Sequence, residues 1–331
     1  MLSGASEAEE ETRKLIGRWR LGGSRVLVTG CAGFLGSWLV EALVEGGAEV
    51  TCVDNLSTGS KENLAGVLNK IRLVVGDVAE APGGSYDIVV HGASLPSPEH
   101  YMSKPVEAML PDSVGLLHIL RIARDSGARV VFMSSSEVYG DPEIIPTPES
   151  YWGRVNPVGP RSPYDEAKRF GEALCMAFHR EYGVDVRIAR IFNTYGPRLD
   201  PYSPYARVVT RFLIQAIRGE PITVHGDGSQ TRSFTYVSDT VRALLTLVTC
   251  DKCSGVYNVG SEEEISIMDL ARLVKEITGS SSPIVHLNPR PDDPRRRRPD
   301  ISRIRALGWE PRVGIREGLR LTYIWLRGRV G

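Results

Sequence analysis

The chain has 331 residues, of which 42% are hydrophobic and 24% charged, a composition typical of a globular protein with one large or two small domains. Its 40 basic residues balance its 40 acidic residues, so no net field draws it towards nucleic acid or an anionic membrane. Neither a long apolar run nor an apolar signal core is present, which predicts a cytoplasmic protein without a membrane span.

From residue 24 onwards, short β-rich runs alternate with stretches of helical apolar spacing. Strands are predicted at 25–29, 49–53, 71–75, 88–91, 129–133 and 184–191, and helices at 34–45, 105–126 and 164–182. Six or seven strands separated by helices predict an α/β fold built on a Rossmann-type doubly wound parallel sheet.

The predicted domain organisation has three parts. Residues 1–23, rich in Glu and then containing Arg, are interpreted as a short helical or frayed N-terminal extension. Residues 24–192 form the predicted Rossmann domain, to which 236–258 is expected to return. After Asn193 the elements shorten and Pro and Gly become frequent, so a smaller C-terminal substrate-binding portion is assigned to 193–235 and 259–331.

A glycine-rich loop, Gly30-x-x-Gly33-x-x-Gly36, follows the first predicted strand and opens the first helix. The first glycine permits a tight turn, the second lets the backbone approach a pyrophosphate, and the third allows close helix packing. Asp54 ends the second strand, where a carboxylate would accept a hydrogen bond from a ribose 2′-hydroxyl and repel the 2′-phosphate of NADP. The loop and the carboxylate therefore predict an NAD site.

Tyr164 and Lys168 lie four residues apart on a predicted helix, so their side chains share one face. An ammonium beside a phenol stabilises the phenolate and would lower a phenol pKa that is normally near 10. Residues 134–137, Ser-Ser-Ser-Glu, end a predicted parallel strand, which is where such sheets place their ligands. This combination predicts proton abstraction from a bound hydroxyl.

The five cysteines are odd in number, which indicates reduced thiols rather than a disulfide framework. Cys250 and Cys253 have the spacing of a metal or redox pair, but they lack a second cysteine pair and a nearby histidine. We therefore predict no metal site.

With these motifs, the chain resembles the extended short-chain dehydrogenases/reductases that modify nucleotide sugars, and among them the UDP-glucuronate decarboxylases. The resemblance covers roughly residues 24–327. Its matching segments are 136–143, 151–161, 164–169, 190–197, 228–234, 236–239, 292–300 and 307–311.

The resemblance implies a role for each of five catalytic residues. Tyr164 would deprotonate the sugar 4-hydroxyl, Lys168 would tune it and hold the nicotinamide ribose, and Ser135 would hydrogen-bond the 4-oxygen. Arg297 would orient the substrate carboxylate and Glu137 would manage protons at C5.

The resemblance also implies binding residues and partners. The expected NAD-binding residues are Gly30, Gly33, Phe34, Leu35, Gly36, Asp54, Asn55, Ser57, Thr58, Gly59, Asp77, Val78, Ala93, Tyr164 and Lys168. The expected substrate-binding residues are Tyr101, Ser136, Asn193, Arg207, Arg232 and Arg297. A UDP-sugar substrate and a homodimer built through a four-helix interface are expected on the same ground.

The implied reaction is coherent in its own chemistry. Hydride transfer from C4 to NAD⁺ gives a 4-ketone and makes the C6 carboxylate part of a β-keto acid, which loses CO₂ readily. Protonation at C5 and return of the hydride would regenerate NAD⁺ and give UDP-xylose. The alternatives are an NAD-dependent nucleotide-sugar 4-epimerase or 4,6-dehydratase and, more remotely, a non-catalytic NAD-binding regulatory protein.

Two positions depart from the family pattern. Residues 110–115, Leu-Pro-Asp-Ser-Val-Gly, stand where relatives usually have Lys-Thr-Asn-x-x-Gly. Pro111 lacks a backbone N–H and is expected to kink the predicted helix close to the nicotinamide or the sugar. His225 replaces a frequent Tyr and is predicted to pack rather than to react.

Four consecutive arginines occupy 295–298. A nucleic-acid patch is disfavoured, because the net charge is zero and no aromatic residues interleave the run. The planar guanidinium fork suits dianionic or carboxylate ligands, so at least one of the four is predicted to face the ligand.

Overall fold

The computed structural model describes residues 4–200, 207–289 and 295–330. Residues 292–294 of the matching segment 292–300 lie outside this part of the chain. No helix within it is both long and apolar enough to cross a membrane.

The strands of the described residues follow in chain order. They are β1 (Arg25–Thr29), β2 (Glu49–Asp54), β3 (Arg72–Val75), β4 (Ile88–His91), β5 (Arg129–Ser135), β6 (Val186–Ile191), β7 (Thr194–Tyr195), β8 (Ile222–His225), β9 (Thr231–Ser233), β10 (Thr235–Tyr236), β11 (Gly255–Val259), β12 (Glu264–Ser266), β13 (Ile284–Leu287) and β14 (Arg296–Arg297).

The helices connect and cover these strands. They are α1 (Gly4–Ile16), α2 (Phe34–Glu45), α3 (Pro98–Ser103), α4 (Pro105–Met109), α5 (Leu116–Ser126), α6 (Ser162–Tyr182), α7 (Val208–Arg218), α8 (Val237–Thr249), α9 (Ile267–Thr278), α10 (Ser302–Arg305) and α11 (Ile315–Val330). A π-helical turn occupies Pro111–Gly115, and 3₁₀ turns occupy Lys61–Leu64, Leu68–Lys70, Val78–Glu80 and Ser136–Tyr139.

The central sheet of the described residues has seven strands in the order β11-β6-β5-β4-β1-β2-β3, and every neighbouring pair is parallel. The order reverses between β1 and β4, which creates the crevice where doubly wound sheets bind ligands. The predicted fold class is confirmed.

Successive residues of the strands point to opposite faces of the sheet, so each strand contributes to two cores. On β1, Val26 and Val28 join the larger cluster with α2 and α8, whereas Leu27 joins the cluster with α5 and α6. Both faces are therefore covered by helices, which explains why the strands are nearly continuous apolar runs.

Beyond β6 the described residues add β11 to the central sheet and form three small sheets. These are β10-β7, the three-stranded β12-β9-β14 and β13-β8. In the second of them, β14 pairs in parallel with β9 and places Arg297 beside Arg232. This arrangement brings Arg297 next to Glu137, which follows β5.

The N-terminal extension forms α1, which packs against α8 and α11. Ala5, Ala8 and Thr12 are buried, and the Thr12 hydroxyl lies 2.7 Å from the hydroxyl of Tyr236. Of the two expectations for the extension, helical or frayed, residues 4–16 follow the helical one.

The helical stretch predicted over 105–126 is interrupted at Pro111, where a kink was expected. The chain forms α4, the π-helical turn and then α5. Pro111 has no N–H to continue the α-helical ladder, and the Gly115 N–H donates to the Leu110 carbonyl at 2.9 Å. The irregularity expected at Pro111 is thus a widened turn.

Candidate active site

The glycine loop makes the close contacts that its glycines permit. Gly30 has φ +68°, and a Cβ there would lie 2.6 Å from the Gly92 carbonyl oxygen. A Cβ at Gly36 would overlap the carbonyl oxygen of Gly30. The end of β1 is therefore packed directly against α2 and against the residues that follow β4.

We expect Gly36→Ala to lower the free energy of unfolding by about 1–3 kcal/mol, because the added methyl group would overlap fixed backbone rather than a movable side chain. Urea denaturation would measure this change in the free energy of unfolding. Gly33→Ala is the matched control, since a Cβ there would lie 3.3 Å from the Gly30 oxygen and needs only a small adjustment. Equal stability of the two variants would contradict this account of the loop.

The Asp54 carboxylate ties the glycine loop to the end of β2. Its Oδ2 accepts from the Ala32 N–H and its Oδ1 from the Leu56 N–H, each at 2.8 Å. An ionised carboxylate has about four acceptor positions, so it can still accept from a ribose hydroxyl. The ribose contact of Asp54 stays a prediction, and the two backbone contacts were not predicted from the sequence.

The other predicted cofactor residues follow the carboxyl ends of four parallel strands. Gly30, Gly33, Phe34, Leu35 and Gly36 follow β1; Asn55, Ser57, Thr58 and Gly59 follow β2; Asp77 and Val78 follow β3; and Ala93 follows β4. Because these ends meet at one edge, the structure brings the whole set together there.

Tyr164 lies in the first turn of α6 and is buried, and its ring stacks on that of Tyr101 with centroids 5.6 Å apart. Burial raises the pKa of the Tyr164 phenol, although a hydrogen bond with the Ser135 hydroxyl opposes the rise. The predicted lowering by Lys168 is therefore not the dominant effect in this arrangement.

The Lys168 ammonium is buried and already paired. Its Nζ donates to Asp112 Oδ1 and to the Met133 carbonyl, each at 2.8 Å, and lies 5.8 Å from the centroid of the Tyr164 ring. A carboxylate that shares the ammonium reduces its field at the phenol. This is the physical reason why the expected pKa shift does not appear.

Glu137 and Arg297, which are 160 residues apart in sequence, form a two-pronged ion pair. Arg297 Nη1 donates to Oε1 at 2.5 Å and Nη2 to Oε2 at 2.9 Å. Arg161 Nη2 adds a third bond to Oε2 at 2.6 Å. Burial opposes ionisation of Glu137, but the two arginines lower its pKa to about 2.

Asp165, next to the candidate base, joins this cluster from α6. Burial, and after it the neighbouring Glu137 charge, raise its pKa to about 7. Its Oδ2 lies 3.9 Å from Arg161 Nε, and its Oδ1 has no hydrogen-bond partner among the described residues. Sequence reasoning missed both Asp165 and Arg161, although both lie within or next to matching segments.

The predicted substrate residues fall into two groups. Tyr101, Ser136 and Arg297 lie at the Tyr164–Glu137 cluster, and burial raises the Tyr101 pKa to about 12. Arg207 lies between the two groups: it acts electrostatically on Tyr164 and Glu137, and its Nη1 donates at 3.1 Å to the carbonyl of Thr194, the residue after Asn193.

Asn193 and Arg232 form the second group, at the small sheets. Asn193 Nδ2 donates to the Ser233 carbonyl at 3.3 Å, and Arg232 lies on β9 with its Nη1 2.8 Å from the Thr231 carbonyl. The half-buried His225 ring contacts the backbone oxygen of Asn288 at 2.9 Å. None of these contacts assigns chemistry to His225.

The arginine run divides between two carboxylates. Arg296 pairs with Glu264 on the exposed side of β14, and Arg297 points inward to Glu137. One arginine of the run therefore faces a buried carboxylate of the protein itself, and its contact with a ligand stays a prediction.

The chain is similar to known proteins along nearly its whole length. It is 46% identical over 306 residues to UDP-glucuronic acid decarboxylase 1 of Xenopus tropicalis, covering 92% of this chain and 72% of the relative. It superposes with a TM-score of 0.84 at 34% identity on UDP-glucose 4-epimerase of Thermotoga maritima, solved with UDP-glucose, covering 92% of this chain and 98% of that one.

A second structure, MoeE5 in complex with UDP-glucuronic acid and NAD, matches with a TM-score of 0.80 at 31% identity, covering 92% of this chain and 99% of that one. The model of the NAD-dependent epimerase/dehydratase family matches residues 26–260. These matches confirm the resemblance and the prediction of NAD as cofactor. The chain belongs to the NAD-dependent epimerase/dehydratase family.

Proposed function

We propose that this protein is an NAD-dependent decarboxylase that converts UDP-glucuronate into UDP-xylose. The observation that carries the proposal is the Arg297–Glu137–Arg161 cluster beside Tyr164. Two guanidinium groups gathered around a carboxylate support a site that stabilises carboxylate charge next to a candidate sugar-oxidising base. The decarboxylase relative and the neighbour that holds UDP-glucuronic acid support the same substrate.

The residues at the edge of the sheet fit NAD. The backbone at Gly30 and Gly36 has no room for side chains, which suits a loop that approaches a pyrophosphate, and Asp54 suits an unmodified ribose 2′-hydroxyl. NAD, when bound, supplies the hydride acceptor and later the hydride donor. The protein's own residues position the sugar and move its protons.

Tyr164 acts as the base in the first step. Its phenolate oxygen takes the proton of the sugar 4-hydroxyl while the hydrogen on C4 leaves as hydride, which gives the 4-ketone. Ser135 is placed to donate a hydrogen bond to the 4-oxygen, since it already interacts with the Tyr164 hydroxyl. Lys168 holds positive charge beneath the Tyr164 ring.

Decarboxylation then breaks the C5–C6 bond. The electron pair moves into an enolate on the 4-oxygen, CO₂ departs, and a proton adds to C5 before the hydride returns to C4. With a pKa of about 2, Glu137 is ionised at neutral pH and carries no proton to give. We assign it to holding Arg297 and Arg161, and the C5 proton comes from another group or from water.

The nucleotide end of the substrate is assigned to Asn193, Arg207 and Arg232. Asn193 and Arg232 are linked through the backbone of Ser233, to which the Asn193 amide donates, so they occupy one side of the site. Two guanidinium groups at this end suit a diphosphate. Tyr101 and Ser136 line the sugar end.

We also propose that the protein is a homodimer. The elements α3, α4, the π-helical turn and α6 pack against one another. Four apolar side chains on these elements are exposed to solvent. They are Met102 (59%), Val106 (70%), Val114 (55%) and Phe170 (51%). Such a patch marks an interaction surface. Sedimentation equilibrium should give twice the 36.4 kDa chain mass, whereas a single-chain mass across micromolar concentrations would contradict the dimer.

We place the protein in the cytoplasm. All five cysteines are free thiols, and four of them are buried. Free thiols on this scale suit a reducing compartment.

The function is tested by supplying NAD and UDP-glucuronate and measuring CO₂ and UDP-xylose by mass spectrometry, beside a panel of other UDP- and dTDP-sugars. We expect CO₂ and UDP-xylose in equal amounts from UDP-glucuronate. Turnover of UDP-glucose or UDP-galactose without any turnover of UDP-glucuronate would favour the 4-epimerase or dehydratase alternative. Bound NAD that no sugar nucleotide reduces would favour a regulatory protein.

A further inference from the structure

Asp112 is a fully buried carboxylate at the centre of a polar cluster beneath the candidate base. Its Oδ1 accepts from Lys168 Nζ and its Oδ2 from the Ser94 hydroxyl, each at 2.8 Å. His91 Nε2 lies 3.8 Å from Oδ1. Every polar oxygen of this carboxylate is thus engaged, as burial of a charge requires.

The departure from the family pattern at residues 110–115 places this carboxylate in the cluster. Pro111 opens the π-helical turn, and the Gly115 N–H closes it on the Leu110 carbonyl. A Cβ at Gly115 would overlap the side chain of Val78, so the turn packs tightly against the 3₁₀ turn that follows β3. The backbone that carries Asp112 is therefore fixed from both sides.

His91 does not neutralise Asp112 at neutral pH. The Thr29 hydroxyl oxygen accepts from the Gly92 and Ala93 N–H groups at 3.2 and 3.3 Å and lies 2.9 Å from His91 Nδ1. The Thr29 hydroxyl therefore donates its proton to His91 Nδ1. The proton of the neutral His91 ring is then on Nε2, on the side of Asp112. Burial lowers the His91 pKa to about 4, so the Lys168 ammonium is the charge that balances Asp112.

We propose that Asp112 is a positioning residue for the reaction, whose buried carboxylate fixes the Lys168 ammonium and offsets its charge beside the Tyr164 phenol. The inference rests on the proposed function and adds to it a residue that sets the pKa of the Tyr164 base. Relatives usually have a neutral Asn at the corresponding position, so the offset distinguishes this chain from the family pattern.

The consequence concerns the direction of the phenol pKa. Burial raises the pKa of Tyr164 and the Asp112 charge raises it further. A higher phenol pKa delays formation of the phenolate as pH rises, and it makes the phenol a weaker acid when the proton has to return to the 4-oxygen. The Tyr164 phenolate therefore forms at a higher pH than it would in a protein with a neutral residue at position 112.

Other charged and titratable groups lie around the Tyr164–Lys168 pair, and all of these residues remain present when only Asp112 is changed. They are His91 on β4, Tyr101 on α3, Glu137 on the 3₁₀ turn, Asp165, Glu172 and Cys175 on α6, and Arg207 before α7. The experiment therefore varies one charge against a fixed surrounding.

The test compares Asp112→Asn with wild type in the pH profile of kcat/KM for UDP-glucuronate. Removing the negative charge favours the phenolate, so we expect the acidic limb to move to lower pH by about one unit. Ser94→Ala removes a hydrogen bond to the same carboxylate but no charge, so its limb should stay in place. An unshifted limb in Asp112→Asn, or an equal shift in Ser94→Ala, would overturn the proposal.

A second readout separates this inference from the proposed substrate. The ultraviolet difference titration of tyrosine in the NAD-loaded protein, with Tyr164→Phe subtracted, reports the phenol without turnover and should show the same shift. If UDP-glucuronate does not react, the proposed function fails while this titration still decides the role of Asp112. Asp112→Ser, which leaves room for a water, gives the same expected shift should Asp112→Asn not fold.

Discussion

Tyr164→Phe should lower kcat for UDP-glucuronate decarboxylation by roughly 1,000-fold, the scale of a lost positioned base. The substitution removes one oxygen and leaves the ring that stacks on Tyr101. NAD affinity should change much less than kcat, because Tyr164 is one of many expected NAD-binding residues and the glycine loop and Asp54 are untouched. Initial rates of CO₂ release and NAD binding by calorimetry measure the two effects separately.

A buried tyrosine away from the site provides the matched control. The Tyr236 hydroxyl lies 2.7 Å from the Thr12 hydroxyl, where α1 packs against α8 and α11. Tyr236→Phe should cost about 1 kcal/mol of unfolding free energy for the lost hydrogen bond and leave kcat unchanged. Comparable losses of kcat in the two variants would mean that Tyr164 acts through structure rather than as the base.

Arg297→Met should weaken binding of UDP-glucuronate to the NAD-loaded protein by about 10- to 100-fold, the value of a charge-assisted bond to a carboxylate. UDP-glucose has no carboxylate, so its affinity should change much less. Arg297 is positioned for this role because it is buried and its Nε has no hydrogen-bond partner among the described residues. Calorimetric titration with both ligands gives the comparison.

The neighbouring arginine is the control for this second effect. Arg296 pairs with Glu264 and is exposed, so Arg296→Met removes the same charge from the same strand without touching the cluster at Glu137. It should leave both affinities within about twofold, as expected for a surface ion pair. Equal losses for both ligands in Arg297→Met would contradict carboxylate recognition.

Features that depend on local sequence were predictable. The alternation of strands and helices gave the parallel sheet, and the spacing of Gly30, Gly33 and Gly36 identified the turn before α2. Tyr164 and Lys168 were brought together by one helical turn, which sequence spacing encodes directly. The resemblance supplied the candidate roles of Glu137 and Arg297, and the structure shows the two side chains in contact.

Features that depend on distant pairing were not predictable. Arg161 meets Glu137, and Asp112 meets Lys168, only because separate elements converge at the edge of the sheet. Sequence reasoning treated residues 110–112 as a helix defect and did not consider the charge of Asp112. The predicted effect of Lys168 on the Tyr164 pKa was wrong in this arrangement for the same reason, since burial and an unseen partner outweighed a neighbour seen in the sequence.

The central claim is that C4 is oxidised and then reduced again around the loss of CO₂. The most direct measurement supplies UDP-glucuronate carrying deuterium at C4 in ordinary water and, separately, unlabelled UDP-glucuronate in D₂O. The account predicts UDP-xylose that keeps deuterium at C4 in the first case and gains one deuterium, at C5, in the second. Loss of the C4 label to solvent, or UDP-xylose without deuterium at C5, would contradict it.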